Sequence, residues 1–237
     1  MREGLFVTGT DTGVGKTLVA LALIDGLKEA GLCVAGMKPI ATGCVRTAEG
    51  LKNADGLALL ERSSVPLPYA SVNPYAFEPP VAPHLAAAAV DTGISLGAVN
   101  DVYRQLLQQV DCVVVEGIGG WRVPLNHQAF VSTLVRYLGL PALLVVGVRL
   151  GCINHALLTV EAIERDEVKL LGWVANQVDV DYRYVEATVT SLQRFIEAPL
   201  LGMIPYLRPG EEDTVPSVLG EVVRTVLERQ TLPLRNP

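Results

Sequence analysis

Gly13-Val14-Gly15-Lys16-Thr17, near the start of the 237-residue chain, has the residue types and spacing of a phosphate cradle. In such a loop, backbone N–H groups and the N-terminus of the following helix converge on anionic oxygens. A lysine in the place of Lys16 supplies a mobile cation for the β- and γ-phosphates. A hydroxyl in the place of Thr17 ligates Mg²⁺. One feature departs from the usual spacing. The pattern G-x-x-x-x-G-K-[ST] asks for glycine at position 10, but this chain has Thr10 there and its nearest glycine is Gly9. The first half of the loop is built instead from Thr10, Asp11 and Thr12.

The flanking residues supply the context such a loop requires. Leu5, Phe6 and Val7 predict a buried strand over 4–8. After Thr17, "LVALALIDGLKEAG" places apolar residues at helical spacing and stops at Gly31. Further polar residues stand at the ends of other apolar runs. Lys38 closes "LCVAGMKP", and Pro39 fixes the backbone as the chain leaves the sheet; Thr42 follows. A second lysine near a triphosphate suits transition-state charge stabilisation, although a strand-end lysine also serves as a solvated surface group. Glu116 closes Val113–Val115, where phosphate-loop proteins often carry a carboxylate for Mg²⁺. The glycines Gly117, Gly119 and Gly120 after it let backbone approach phosphate closely. Asp55, in "NADGLALL", reads equally as a second metal carboxylate or as a helix cap. Asn176 ends "LLGWVAN", the place of an asparagine that reads a purine in other nucleotide-binding sheets. Cys152 and Asn154 open a helix after the Gly151 turn, where free N–H groups can hold a carboxylate. His84, His127 and His155 show no ligand spacing and read as structural.

These residues need a scaffold, and the alternation of runs predicts one. Strands are expected over 32–39, 111–117, 142–148, 170–176 and 199–205. Helices are expected over 99–109, 129–138, 152–165, 183–196 and 217–229. Strands alternating with helices make an α/β, doubly wound, mostly parallel sheet flanked by helices, of P-loop NTPase type, here as a single domain over 1–237. Ligands in such sheets bind beyond the carboxyl ends of the strands, where the polar residues named above fall. The segment 40–98, rich in Pro, Gly and Ala, reads as a long irregular and therefore functional loop.

Half the residues are hydrophobic and few are aromatic, which suits Val/Ile/Leu strands buried on both faces. A net charge of −6 argues against nucleic acid or an anionic membrane as the main partner. The scattered Cys33, Cys44, Cys112 and Cys152 suggest neither a zinc site nor a disulfide framework, and a reducing cytoplasm is the simplest setting. No apolar stretch reaches membrane-spanning length, and the first strand leaves no room for a signal peptide.

The segments "FVTGTDTGVGKT", "GMKPIATG", "NADGLALL", "VNPYAFEPPVAPH", "VVVEGIGGWRVPL", "VVGVRLGCINHALLT", "GWVANQV" and "APLLGMIPYL" together resemble the dethiobiotin synthetases, from the first strand to about residue 207. The resemblance implies an ATP-dependent ligase of biotin biosynthesis. Such an enzyme carboxylates 7,8-diaminononanoate with CO₂ and closes a ring, releasing ADP and phosphate with Mg²⁺ required. It further implies a homodimer with active sites at the interface. Carried onto this sequence, Gly13, Val14, Gly15, Lys16, Thr17 and Leu18 hold phosphates, and Thr12 lies beside the reacting carbamate. Thr17, Asp55 and Glu116 hold the metal, and Lys38 is the active-site lysine. Glu116, Gly117, Ile118 and Gly119 contact ATP, as do Asn176, Gln177, Pro205, Tyr206 and Leu207. Gln177 stands where an acidic residue is often found. Thr42 stands where a serine is common and still offers the substrate a hydroxyl. Gly151, Cys152, Ile153 and Asn154 match a helix start that receives the substrate carboxylate from the neighbouring subunit's site. The competing class is the partition and division-site switch ATPases, which share such a sheet. They carry a signature lysine five residues before the P-loop lysine, where this chain has Asp11.

Overall fold

The computed structural model describes residues 3–208, 210 and 219–229. In chain order the elements begin with β1 (Glu3–Gly9), α1 (Lys16–Glu29) and β2 (Val34–Met37). The segment 40–98 carries β3 (Ile40–Ala41), β4 (Val45–Thr47), β5 (Gly50–Lys52), α2 (Ala54–Arg62), α3 (Tyr69–Val72), β6 (Tyr75–Ala76) and α4 (Pro83–Ala89). Then come α5 (Leu96–Gln109), β7 (Cys112–Glu116), α6 (Val131–Leu138), β8 (Ala142–Val148), α7 (Cys152–Arg165), β9 (Leu170–Gln177), α8 (Val185–Phe195) and β10 (Leu200–Ile204). The last described element is α9 (Gly220–Arg229). Residues 217 and 218 of the expected last helix lie outside the described residues.

The main sheet runs β10-β9-β8-β1-β7-β2, with every pairing parallel. Every residue of β7 and β8 is buried, because helices cover both faces. Alternation decides which face each side chain joins. Leu5, Val7, Val114, Leu143 and Val145 pack with α1, α2 and α9 through Leu23, Ile24, Leu27, Leu59, Val222 and Val226. Phe6, Val113 and Val115 pack the opposite way, against Val99, Tyr103 and Leu106 of α5 and Leu134 of α6. Leu144, Val146 and Trp173 meet Ala156 and Val160 of α7 and Leu192 of α8.

The expected strands and helices are all present, with ends shifted by up to a few residues. The segment 40–98 differs from its expectation: it is built of short elements rather than irregular. The antiparallel pair β4–β5 and the two-residue pairing of β3 with β6 are too short for a readable alternation. Nine-residue α2 is too short to stand alone and is held by packing on β2 and α1. Among the described residues no helix is long and apolar enough to cross a membrane.

Register sets the site. β2 lies beside β7 with Met37 opposite Val115, so Lys38 and Glu116 leave the sheet side by side. β1 lies on the other side of β7, with Val7 opposite Glu116, and runs directly into the glycine-bearing loop. Gly147, Asn176 and Ile204 are in register across β8, β9 and β10, continuing the same edge.

Candidate active site

Between β1 and α1 the chain folds tightly over itself. A Cβ at Gly9 would stand 2.6 Å from Val14 Cγ2, closer than side-chain carbons approach, so the glycine is required one position early. That accounts for Thr10, whose N–H is instead bound to the Val145 carbonyl at 3.0 Å. Asp11 organises the rest of the loop. Its carboxylate accepts the Thr12 N–H at 2.7 Å and an Arg149 N–H at 2.8 Å, and its carbonyl accepts the Lys16 ammonium at 2.7 Å. From beneath, buried Asn176 donates its side-chain N–H to the Val14 carbonyl at 2.9 Å.

Beside the loop lies a buried ion cluster. Lys38 Nζ donates to Glu116 Oε1 at 2.5 Å and to Asp55 Oδ2 at 2.8 Å, and the Thr17 hydroxyl donates to Glu116 Oε1 at 2.8 Å. Burial opposes the Lys38 charge, but Glu116 and Asp55 outweigh it and raise its pKa, so the ammonium is firmly held. Burial also opposes the Asp55 charge, and there Lys38 wins, lowering the pKa. Glu116 is more deeply buried, and desolvation raises its pKa. Lys16 faces burial and then the Lys38 charge, which together lower its pKa to about 8. Burial and neighbouring charge shift pKa values in this way at reactive sites.

A cavity of about 830 Å³ opens over these groups. Its lining brings together Thr12, Gly13, Gly15, Lys16, Thr17, Leu18, Lys38, Thr42, Asp55, Glu116, Ile118 and Gly119 from the sequence-predicted set. The opposite wall is apolar, made by Pro80, Val81, Ala82 and Pro83 with Val123. Another cavity, of about 550 Å³ at the far ends of β8 and β9, contains none of the sequence-predicted residues.

Other expected residues lie outside this lining. Val14 and Gly117 are buried beneath it. Asn176 supports the loop, and Gln177 donates its side-chain N–H to the Asp179 carbonyl at 3.0 Å. Pro205 and Tyr206 are exposed beyond β10, while Leu207 packs on the core. Gly151, Cys152, Ile153 and Asn154 form the start of α7, as expected, yet none of them reaches the cavity of their own chain. Sequence reading gave no role to Asn53, Pro80, Val81, Ala82 or Pro83. Asn53 had a readable signal: an asparagine directly before an apolar periodic run is a helix cap, and its side chain accepts the Asp55 N–H.

The donor set also tests the site for a metal. Glu116 Oε2 is buried and has no hydrogen-bond partner among the described residues, on a carboxylate whose other oxygen meets the Thr17 hydroxyl. Among the described residues no group of three or more His, Cys, Asp or Glu is arranged for a metal ion. Two carboxylates and a hydroxyl, all hard oxygens, fit Mg²⁺, which keeps waters and takes phosphate oxygens.

Comparison with known proteins shows the family. Residues 3–214 match the AAA domain family. An ATP-dependent dethiobiotin synthetase of Cellvibrio japonicus is 48% identical over 212 residues, covering 90% of this chain and 93% of that protein. The enzyme of the same name from Pseudomonas paraeruginosa is 51% identical over 203 residues, covering 85% and 89%. The chain belongs to the ATP-dependent dethiobiotin synthetase family. It is thus an ATP-dependent ligase of biotin synthesis with a P-loop fold. Among solved structures, the cell-division protein MinD of Aquifex aeolicus matches with TM-score 0.59 at 17% identity, covering 98% of this chain and all of that one. MinD of Pyrococcus horikoshii, complexed with Mg-ADP, matches with TM-score 0.59 at 15% identity over 97% of each chain. At such identities these neighbours bear on the fold alone.

Proposed function

We propose that the chain builds a cyclic urea on 7,8-diaminononanoate from CO₂ and ATP, giving dethiobiotin, ADP and phosphate. In the first step one unprotonated amine attacks CO₂ and loses a proton, leaving a carbamate. A carbamate oxygen then takes the γ-phosphoryl group of ATP as ADP leaves. The second amine attacks the carbamoyl carbon, expelling phosphate and closing the ring. The supporting observation is that one cavity unites a phosphate loop, a buried ammonium–carboxylate cluster and an apolar wall. The wall suits the aliphatic chain of the substrate, and Thr12 and Thr42 offer hydroxyls beside the reacting end. Lys16 and Lys38 face the charge that develops on the transferred phosphoryl group.

Thr17, Asp55 and Glu116 would hold Mg²⁺, which when bound neutralises phosphate charge. Gly13, Val14, Gly15 and Leu18 form the phosphate cradle, with Gly117, Ile118 and Gly119 alongside. Asn176, Gln177, Pro205, Tyr206 and Leu207 follow the same sheet edge and are assigned to the nucleoside end. The decisive experiment supplies labelled bicarbonate. ATP turnover should require both diamine and dissolved CO₂, and the label should appear in the ureido carbonyl. ATP consumption at an equal rate without diamine, or an unlabelled product, rejects this reading in favour of a switch ATPase.

The start of α7, from Gly151 to Asn154, is assigned to the substrate carboxylate of a second copy. The Cys152 N–H is taken by the Arg149 carbonyl at 3.1 Å, so the Ile153 and Asn154 N–H groups of the first turn are the ones that suit an anion, and the segment does not reach its own cavity. The active unit would then be a homodimer. Light scattering that finds a fully active monomer at assay concentration removes this shared-site assignment.

A further inference from the structure

Lys38 and Asp55 are joined twice: once by their ion pair, and again by a path of hydrogen bonds through residues with no assigned role. The Lys38 backbone is clamped on both sides by the end of α3. Its N–H donates to the Val72 carbonyl at 2.8 Å, and its carbonyl accepts the Asn73 side-chain N–H at 2.7 Å. Asn73 is buried, and the same nitrogen also reaches the Tyr75 carbonyl at 3.1 Å. Two carbonyls facing one end of the amide fix its orientation, leaving Oδ1 to accept the Tyr69 hydroxyl at 2.9 Å. Tyr69 Oη in turn accepts the Asn53 N–H at 2.7 Å, and Asn53 Oδ1 accepts the Asp55 N–H at 3.0 Å. The Lys38–Asp55 ion pair closes the ring.

This ring joins Lys38, which directly follows β2, to Asp55 in the first turn of α2, two positions separated in sequence by β3, β4 and β5. Only the neutral phenol can donate to Asn73 while accepting from Asn53, and burial raises the Tyr69 pKa in that direction. The fit of α2 against the ring is tight. A Cβ at Gly56 would lie 3.0 Å from Tyr69 Oη and 3.3 Å from its Cε2.

We propose that Tyr69 and Asn73 are positioning residues that fix the separation of Lys38 from Asp55 and so set the geometry of the metal and phosphoryl site. This rests on the assignment of Lys38 and Asp55 to that site. Tyr69→Phe keeps the ring packing and removes the hydroxyl that joins Asn53 to Asn73. It should lower kcat and raise half-saturating Mg²⁺ by about tenfold, with the ATP KM changed far less, as loss of an outer partner does at metal sites. Gly56→Ala pushes on the same hydroxyl from the α2 side and should shift both quantities in the same direction. It also tests the proposal should Tyr69→Phe not fold. The separating readout is calorimetric titration of ADP at graded Mg²⁺, which measures the metal dependence of nucleotide binding without any turnover. It therefore stands even if the ring-closing reaction is wrong. A Tyr69→Phe protein with a lowered melting temperature but unchanged kcat and Mg²⁺ dependence overturns the proposal and leaves the ring a purely structural one.

Discussion

Lys38→Ala is expected to lower kcat by about two to three orders of magnitude, the loss that follows removal of one preorganised donor worth roughly 3–4 kcal/mol in the transition state. The ammonium sits on Glu116 and Asp55 rather than in solvent, so it is already desolvated and aimed when charge develops. Lys38→Met, which keeps most of the stem volume, should be equally impaired, and its melting curve separates chemistry from folding. Near-normal turnover in either variant rejects the assigned role. Lys16→Ala should show a loss of similar size and add a pH signature. Its pKa of about 8 means that the free protein loses this proton in the mildly alkaline range. A bound triphosphate favours the ammonium, so binding above that pH takes up a proton. Wild-type affinity for ATP should therefore fall by up to about tenfold per pH unit there, and Lys16→Ala should lose that slope.

The parts of the site at the ends of buried strands were legible from residue order. Lys38 and Glu116 each follow a buried run, and in a parallel sheet that position lies at the ligand edge. Asp55 was ambiguous because both of its readings describe the start of a helix. The structure divides them between two residues: Asn53 caps α2, and Asp55, one turn position further, meets Lys38. The apolar wall of Pro80–Pro83 was not legible. It lies in the short connection between β6 and the start of α4, too short for periodicity, and is tied to the neighbouring loop where the Gly43 N–H donates to the Pro79 carbonyl at 3.2 Å. Asn176 illustrates the opposite problem. Its place at a strand end was readable, but its grip on the Val14 carbonyl depends on two segments far apart in sequence meeting at one edge.

The same sheet in MinD shows how little the fold alone decides. What separates this chain is local. At the position where the switch-ATPase reading expects a lysine, the Asp11 carboxylate accepts N–H groups of Arg149 and Thr12, and its backbone carbonyl accepts the Lys16 ammonium. The acidic side chain thus ties the loop to Arg149 and Thr12 within its own chain. An acidic side chain there cannot supply the cation that a lysine would.

Glu116→Gln is expected to raise half-saturating Mg²⁺ by about tenfold or more, since one of the two site carboxylates beside Thr17 among the described residues loses its charge while its shape is kept. The two oxygens of Glu116 are not equivalent. Oε1 is shared by Lys38 and Thr17, whereas Oε2 is buried without a hydrogen-bond partner among the described residues, a costly state that a metal ion would relieve. Glutamine would place an amide where that unpartnered oxygen is, and an amide N–H repels a cation. It would also leave Lys38 with Asp55 as its one remaining counter-charge, so the buried ammonium would be held less firmly and its pKa should fall. Direct titration with Mg²⁺ in the presence of ADP reads the first effect, and the alkaline limb of the pH–rate profile reads the second. If Oε2 is instead only a strand-end oxygen without a ligand, removing the charge should leave the Mg²⁺ titration unchanged. That result would take Glu116 out of the metal site and leave it as the counter-ion of Lys38.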